Sequence, residues 1–205
     1  MGDIVSNFFI SLDGVVESPD QWHFPYFNDE LGEAIGSGAM GASAFLLGRV
    51  LYDQWSEYWP AQARLEPGEV DEFGSFINPI KKYVVSNTLT EATWTNTTLI
   101  TGDVANQLRE IKASTDGDIA MSGSATTVRW LLANGLLDRL ELLLHPIVVG
   151  HGDRLFGEGA THPLELVRHK VLSTGVVWLT YVPPRDGDRE GVGRQAASPR
   201  WDLNP

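Results

Sequence analysis

Residues 118–145 read DIAMSGSATTVRWLLANGLLDRLELLLH. A β-like run ends at Met121, the small residues Ser122, Gly123 and Ser124 follow, and a helical pattern starts at once. Val128, Leu131, Leu132 and Gly135 fall at i, i+3, i+4 and i+7, which is one face of a helix. The chain then returns as a strand in RLELLLHPIVV. A strand running straight into a helix leaves the first-turn N–H groups without intrahelical partners. Two compatible readings follow for Ser122-Gly123-Ser124. Ser124 caps the helix, as serine does well, or the free N–H groups and Gly123 cradle a phosphate.

The same alternation extends outward in both directions. DIVSNFFISLDG reads as a buried strand ending near Leu12, and SAFLLG, KKYVVSNTL and TTLIT as further strands. NDELGEAIGSG reads as a short helix capped by Asn28 or Asp29 and ended by glycine. RVLYDQWSEYW reads as a helix stopped by Pro60. GDVANQLREIKAS is a helix with Asp103 as N-cap and Val104, Leu108 and Ile111 on one face. Ala61 to Gly74 is polar and punctuated by Pro and Gly, the pattern of a surface excursion. LELVRHKVLSTGVVWLTYVP gives two strands joined near Thr174-Gly175. Strands alternating with helices and then a terminal hairpin predict an α/β domain over residues 1–182, a mixed, mostly parallel sheet flanked by helices. From Pro183 to Pro205 the composition turns to Pro, Gly, Arg and Asp, and a disordered tail is expected.

Composition removes several function classes. The 205 residues contain no cysteine, which excludes thiolate nucleophiles, disulfides and Cys-based zinc sites. A net charge of −12 argues against a nucleic-acid partner, yet a few oriented N–H groups and one Arg still suffice for a small anion. No apolar run reaches the roughly 18 residues of a membrane span, and no signal peptide is seen, so a cytoplasmic protein is expected. The five histidines show no ligand spacing, and no metal is expected.

Two further junctions resemble the first. LLGRVLY (Leu46–Tyr52) places Gly48 at a strand end and Arg49 at a helix start. An Arg at a positive helix end is unfavourable unless an anion binds there. VVSNTL (Val84–Leu89) ends a strand with Ser86, Asn87 and Thr88, either a plain turn or the strand edge where ligands collect in open α/β sheets. GSGAMG (Gly36–Gly41) matches the dinucleotide fingerprint in letters only. It follows a helix and precedes a strand, the reverse of what pyrophosphate binding needs, so it reads as a helix C-terminus and turn. HPIVVGHGDRLFGEG reads as a structural loop. Trp22, Phe24 and their aromatic neighbours form either outlying core or a stacking platform for a flat substrate. Asp13 is either a turn former with Gly14 or a ligand contact.

Taken in order, SLDG, LLGRVLYDQW, KYVVSNTL and GSATTVRWLLANGLLDRLELLLHPIVVGHGDRLF resemble the dihydrofolate reductase-like superfamily. The resemblance is strongest to the C-terminal reductase domain of the bacterial riboflavin-biosynthesis deaminase–reductase and its stand-alone relatives. It spans Ile4 to about Val182. It implies NADPH lying over the sheet edge, with NADH as the alternative. Gly48 and Arg49 would meet phosphates, Ser86, Asn87 and Thr88 would surround the adenosine and its 2′-phosphate, and Gly123, Ser124 and Ala125 would take the pyrophosphate. Asp13 and the aromatic loop, with Trp22 and Phe24, would border nicotinamide and substrate. Two positions depart from the family pattern: Leu51 where a threonine is usual, and Asn87 where relatives often carry Arg. Asn supplies neither charge nor a bidentate fork for a 2′-phosphate.

The resemblance implies hydride transfer to a C=N or C=O carbon of a small heterocyclic or sugar-linked substrate. The uracil-reductase step of riboflavin synthesis is one candidate. Proton-donor candidates are Asp13, Asp29 and Glu30. A homodimer is expected, as in many relatives. Two alternatives stand beside this: a nucleotide-binding sensor without catalysis, and a dihydrofolate reductase proper.

Overall fold

In a computed structural model, residues 1–63 and 72–184 are described. Six strands run parallel: β1 (Ile4–Ser11), β2 (Ala44–Gly48), β3 (Lys81–Val85), β4 (Thr97–Ile100), β5 (Ile119–Ser122) and β6 (Arg139–His145). β7 (Glu165–Val171) and β8 (Val177–Val182) form an antiparallel hairpin whose β8 edge pairs with β6. All eight make one sheet in the order β4-β3-β2-β5-β1-β6-β8-β7. This is the mixed, mostly parallel sheet that the alternating pattern predicts.

Period-2 alternation decides what each face of the sheet carries. On one face, Ile4, Phe8, Ile119 and Met121 pack beneath α4 (Val104–Ser114) and α5 (Ala125–Ala133), sharing a core with Leu108, Val128 and Leu131. Val128 and Leu131 are fully buried, so each contributes about 2 kcal/mol of apolar transfer. On the other face, Phe45, Leu47 and Val84 pack with Tyr52 of α2 (Arg49–Gln62) and Ile77 of α3 (Glu72–Ile77). Leu31 of α1 (Asp29–Ala39) packs on Leu143 from the same side. The central register then sets Asn7 of β1 beside Ser122 of β5 and Glu141 of β6, three polar side chains in one row across a sheet that is otherwise apolar there.

Several element ends differ from expectation. α1 does not end at glycine; it runs through Gly36 and Gly38 to Ala39, with Met40 as C-cap. α2 continues past Pro60 to Gln62. A proline in the last turn removes only one backbone bond, and Trp55 and Trp59 hold this end against Phe73 at ring distances of 5.6 and 5.1 Å. The excursion expected over Ala61–Gly74 contains the start of α3, whose Gly74 and Ile77 are buried; residues 64–71 lie outside the described residues. Gly135 stands beyond the C-cap Asn134 of α5, with φ +62, and is the left-handed residue that stops the helix. Of the tail expected from Pro183, residues 185–205 lie outside the described residues. Asn28 and Asp103 cap α1 and α4 by accepting from Leu31 N and Asn106 N.

Candidate functional site

β2 and β5 are neighbours in the sheet, so the starts of α2 and α5 emerge side by side. The contact between them is close. A Cβ added at Gly48 would lie 2.6 Å from Ser124 Oγ and 3.0 Å from Thr127 Oγ1, so only glycine fits without displacement. Gly123 and Ser124 are both left-handed, at φ +74 and +63. Gly123 N donates to Asn7 O at 3.3 Å, and left-handed Ser124 followed by helical Ala125 turns the next N–H groups toward one side, a concavity suited to anions. Ser124 occupies the N-cap position of α5 without capping it; its hydroxyl pairs with Thr127 Oγ1 at 2.6 Å instead. Gly48, at the N-cap of α2, has no side chain to cap with. Two helix N-termini therefore converge with their first-turn N–H groups free of side-chain caps.

A cleft of about 820 Å³ opens in front of these junctions. It is lined by Arg49, Ser86, Asn87, Thr88, Gly123, Ser124 and Ala125, which sequence reading had named from three separate stretches. Gly48 stands behind this wall as the spacer. The roles within the third stretch differ from a row of free ligands. Ser86 is buried and its Oγ accepts from Thr88 N (3.1 Å) and Leu89 N (2.9 Å), so it shapes the turn that presents exposed Asn87. Arg49 links the start of α2 to the turn after β3: Nε holds Asp53 at 2.7 Å, and an η-nitrogen donates to Thr88 Oγ1 at 3.4 Å. A guanidinium therefore stands beside the turn where Asn87 supplies no charge.

Residues missed in the sequence complete the cleft. Arg129, one helical turn after Ala125, adds a second cation, and Thr126 and Thr127 add hydroxyls. Their spacing along α5 was the available signal, since i and i+4 share a helix face. Glu17, Asp20 and Asp153 line the opposite part of the cleft.

Asn7, Trp55 and Ser122 belong both to this cleft and to a smaller inner pocket of about 180 Å³. The inner pocket is walled by apolar groups, among them Val5, Ile35, Phe45, Phe73, Ala120 and Met121, with Glu141 as the one charged lining residue among the described residues. No hydrogen bond reaches the Asn7 side-chain amide among the described residues, while its backbone oxygen accepts from Gly123 N at 3.3 Å. Asn7 marks the passage between the two cavities.

The aromatic loop takes the core reading for one residue and neither reading for the other. Trp22 is buried, with Nε1 donating to Glu17 O at 3.1 Å and its ring edge-on to His145 at 5.3 Å. Phe24 is 62% exposed and packs on His23. Neither lines the cleft; Glu17, Pro19 and Asp20 of the same loop do, with Phe9 from β1. His23 stacks on Phe9 at 4.5 Å, and burial lowers the pKa of both His23 and His145. His145 Nδ1 lies 2.7 Å from Leu143 O, which assigns it the ring proton.

The three expected proton donors stand elsewhere. Asp13 accepts from Ser11 Oγ (2.7 Å), Val149 N (3.0 Å) and Gly150 N (2.9 Å). These bonds hold its carboxyl far below the ordinary carboxylate range and tie down the loop after β6, so Asp13 is a structural anion rather than an acid. Glu30 pairs with Lys170 at 2.8 Å and accepts from Ser173 N at 2.9 Å, which lowers its pKa from 4.5 to about 2. It clamps α1 to the C-terminal hairpin. Asp29 is exposed at the first position of α1, and none of the three lines either cavity.

Comparison with known proteins places this geometry. A match to the RibD C-terminal domain spans residues 3–178. The chain belongs to that family. Among curated proteins it is similar to the uncharacterised protein YyaP of Bacillus subtilis, with 27% identity over 186 residues, 87% of this chain and 93% of that one. The RibD-type fold recurs in solved structures. A putative riboflavin biosynthesis protein from Shewanella sp. PV-4 superposes with TM-score 0.69 at 18% identity, covering 89% of this chain and 99% of the other. A pyrimidine reductase-like protein from Corynebacterium diphtheriae gives 0.62 at 14%, covering 90% and 93%. The deaminase/5-amino-6-(5-phosphoribosylamino)uracil reductase of Thermotoga maritima gives 0.61 at 14%, covering 89% of this chain and 57% of that longer one. Among the described residues no helix is long and apolar enough to cross a membrane.

Proposed function

We propose that this chain is a pyridine-nucleotide-dependent reductase, with NADPH as first choice of cofactor and NADH as the alternative. One observation carries the reading. Two helix N-termini without side-chain caps converge at Gly48 and Gly123-Ser124 in a cleft that also holds Arg49 and Arg129 and opens onto an apolar pocket.

The residues present fit such a cofactor. Free N–H groups at Ser124, Ala125 and the start of α2 would hold the pyrophosphate, and Gly48 keeps the backbone close enough to do so. Ser86, Asn87 and Thr88 would border the adenosine, with Arg49 supplying the charge for a 2′-phosphate. A phosphate there would compete with Asp53 for the guanidinium. When bound, the cofactor supplies a hydride for an electrophilic C=N or C=O carbon. The protein supplies position and dryness: Asn7 orients polar groups at the passage, while Phe45, Trp55 and Phe73 exclude water from the pocket behind it. Glu17, Asp20 and Asp153 are the carboxylates at hand in the cleft for proton exchange with solvent. The uracil reduction named for the Thermotoga protein is the first activity to assay, and a homodimer is the assembly to test by sedimentation.

The test is a titration of the protein with NADPH and NADH, followed by nicotinamide fluorescence, beside a Gly123→Asp variant. A Cβ at Gly123 meets open space, but φ +74 strains any side chain there. An unfolding curve of the variant therefore accompanies the titration and separates lost fold from the carboxylate added to the anion site. Binding to wild type, weakened at least about tenfold in the variant, is expected. Absence of binding by either nucleotide to wild type overturns the reading.

A further inference from the structure

The inner pocket carries a substrate preference that differs from a phosphoribosyl pyrimidine. We infer that it admits a single flat ring bearing one cationic or N–H-rich edge, received by Glu141 Oε2, and that it turns away anionic and phosphorylated compounds. This rests on the reductase reading, in which the cations of the outer cleft serve the cofactor.

Size comes first. A cavity of about 150 Å³ holds a benzene ring, so the roughly 180 Å³ here holds one ring with a small substituent. Polarity comes next. Val5, Phe45, Trp55, Ala120 and Met121 line it, and among the described residues no Lys, Arg or His does. A phosphate placed there would meet a carboxylate and no cation.

Glu141 is the decisive group. Its side chain is 6% exposed, and two guanidiniums make their nearest approach to it at Oε1. Arg139 Nε stands 3.3 Å and an Arg168 η-nitrogen 3.6 Å from Oε1. Both guanidiniums are held from behind, Arg139 by Asp118 and Arg168 over the Trp178 ring at 4.2 Å, and neither lines the pocket. Among the described residues no hydrogen bond reaches Oε2, which faces Gly38. A carboxylate on so buried a side chain, lining an otherwise apolar cavity, is costly unless a donor meets it.

Access to Oε2 is kept open by a glycine. Gly38 lies in the last turn of α1, where glycine is a poor helix residue, and a Cβ there would sit 3.6 Å from Oε2. Any longer side chain would cover the oxygen. Asn7 and Ser122 complete the row, placing the ring between the carboxylate and the outer cleft.

Three one-ring probes of nearly equal shape test the inference: benzamidine, benzoate and phenyl phosphate, titrated into the protein with calorimetry and Trp fluorescence. Benzamidine is expected to bind at least about tenfold more tightly than either anion, the effect of one charge-assisted contact. Glu141→Gln should erase that preference. Gly38→Leu, which favours the helix and keeps the charge, should weaken benzamidine by a similar factor while raising Tm. Equal or tighter binding of phenyl phosphate or benzoate to wild type overturns the inference, whatever the variants do. So does benzamidine binding that is unchanged in both variants. NADPH titrated into the same samples separates the two claims. If wild type binds NADPH but prefers the anions, this inference alone falls. If it prefers benzamidine but binds no nicotinamide nucleotide, the pocket stands and the reductase reading falls.

Discussion

The outer cleft and the inner pocket share a wall at Asn7, Trp55 and Ser122, yet they are built in opposite ways. The cleft presents backbone: glycines at Gly48 and Gly123, N–H groups without side-chain caps at two helix starts, and a left-handed Ser124. The pocket recognises through side chains gathered from β1, β2, β5, β6 and the three helices above them. The cleft tolerates many side chains but no extra volume at Gly48. Side-chain sites tolerate backbone variation but depend on single groups such as Glu141.

The sharpest way to break this contrast is to add volume to the cleft. Gly48→Val should weaken NADPH by at least about a hundredfold, because its Cβ displaces the Ser124–Thr127 hydroxyl pair that flanks the anion site. Benzamidine binding to the inner pocket should change by less than about threefold. Comparable losses for both ligands would show that the two regions are one. A smaller effect is expected at the rim. Arg49→Gln should weaken NADPH about tenfold and NADH less than about threefold, with a shallower salt dependence of NADPH binding. Equal losses would remove Arg49 from 2′-phosphate recognition.

The smallest effect concerns the acids that serve neither region. Glu30 has its folded pKa lowered to about 2 from 4.5. The stability it contributes is fully present above about pH 4.5 and is lost as pH falls toward 2. Urea unfolding of Glu30→Gln should show a flatter acid limb across that window, with nucleotide binding at neutral pH unchanged. A change in NADPH affinity at neutral pH would return Glu30 to the site.

The same contrast explains what could be read from the sequence. A strand, a glycine and a helix start are adjacent in the chain, so LLGRVLY and MSGSATT announce the cleft locally. Their joint geometry also followed, because alternating strands and helices put all helix starts at one sheet edge. The pocket sends no such local signal. Asn7, Ala120 and Glu141 lie on three strands, and only the sheet register brings them into one row. A single charge inside the apolar run RLELLLH was the one visible hint. Asp13 and Glu30 misled for a related reason. An acid at a strand end or helix start looks available until its partners are known, and Val149 lies 136 residues from Asp13 and Ser173 lies 143 from Glu30. Ser124 misled at shorter range, since nothing local shows that Thr127 draws its hydroxyl away from the helix end.

The central claim is that backbone N–H groups of two converging helix starts hold a dinucleotide phosphate. Amide resonances of ¹⁵N-labelled protein, followed during NADPH titration, test it most directly. The account predicts that the largest and saturable shifts fall on Arg49, Val50, Gly123, Ser124 and Ala125, while Asp29 and Glu30 stay still. Shifts confined to the aromatic loop, with the α2 and α5 starts unmoved at saturation, would contradict it.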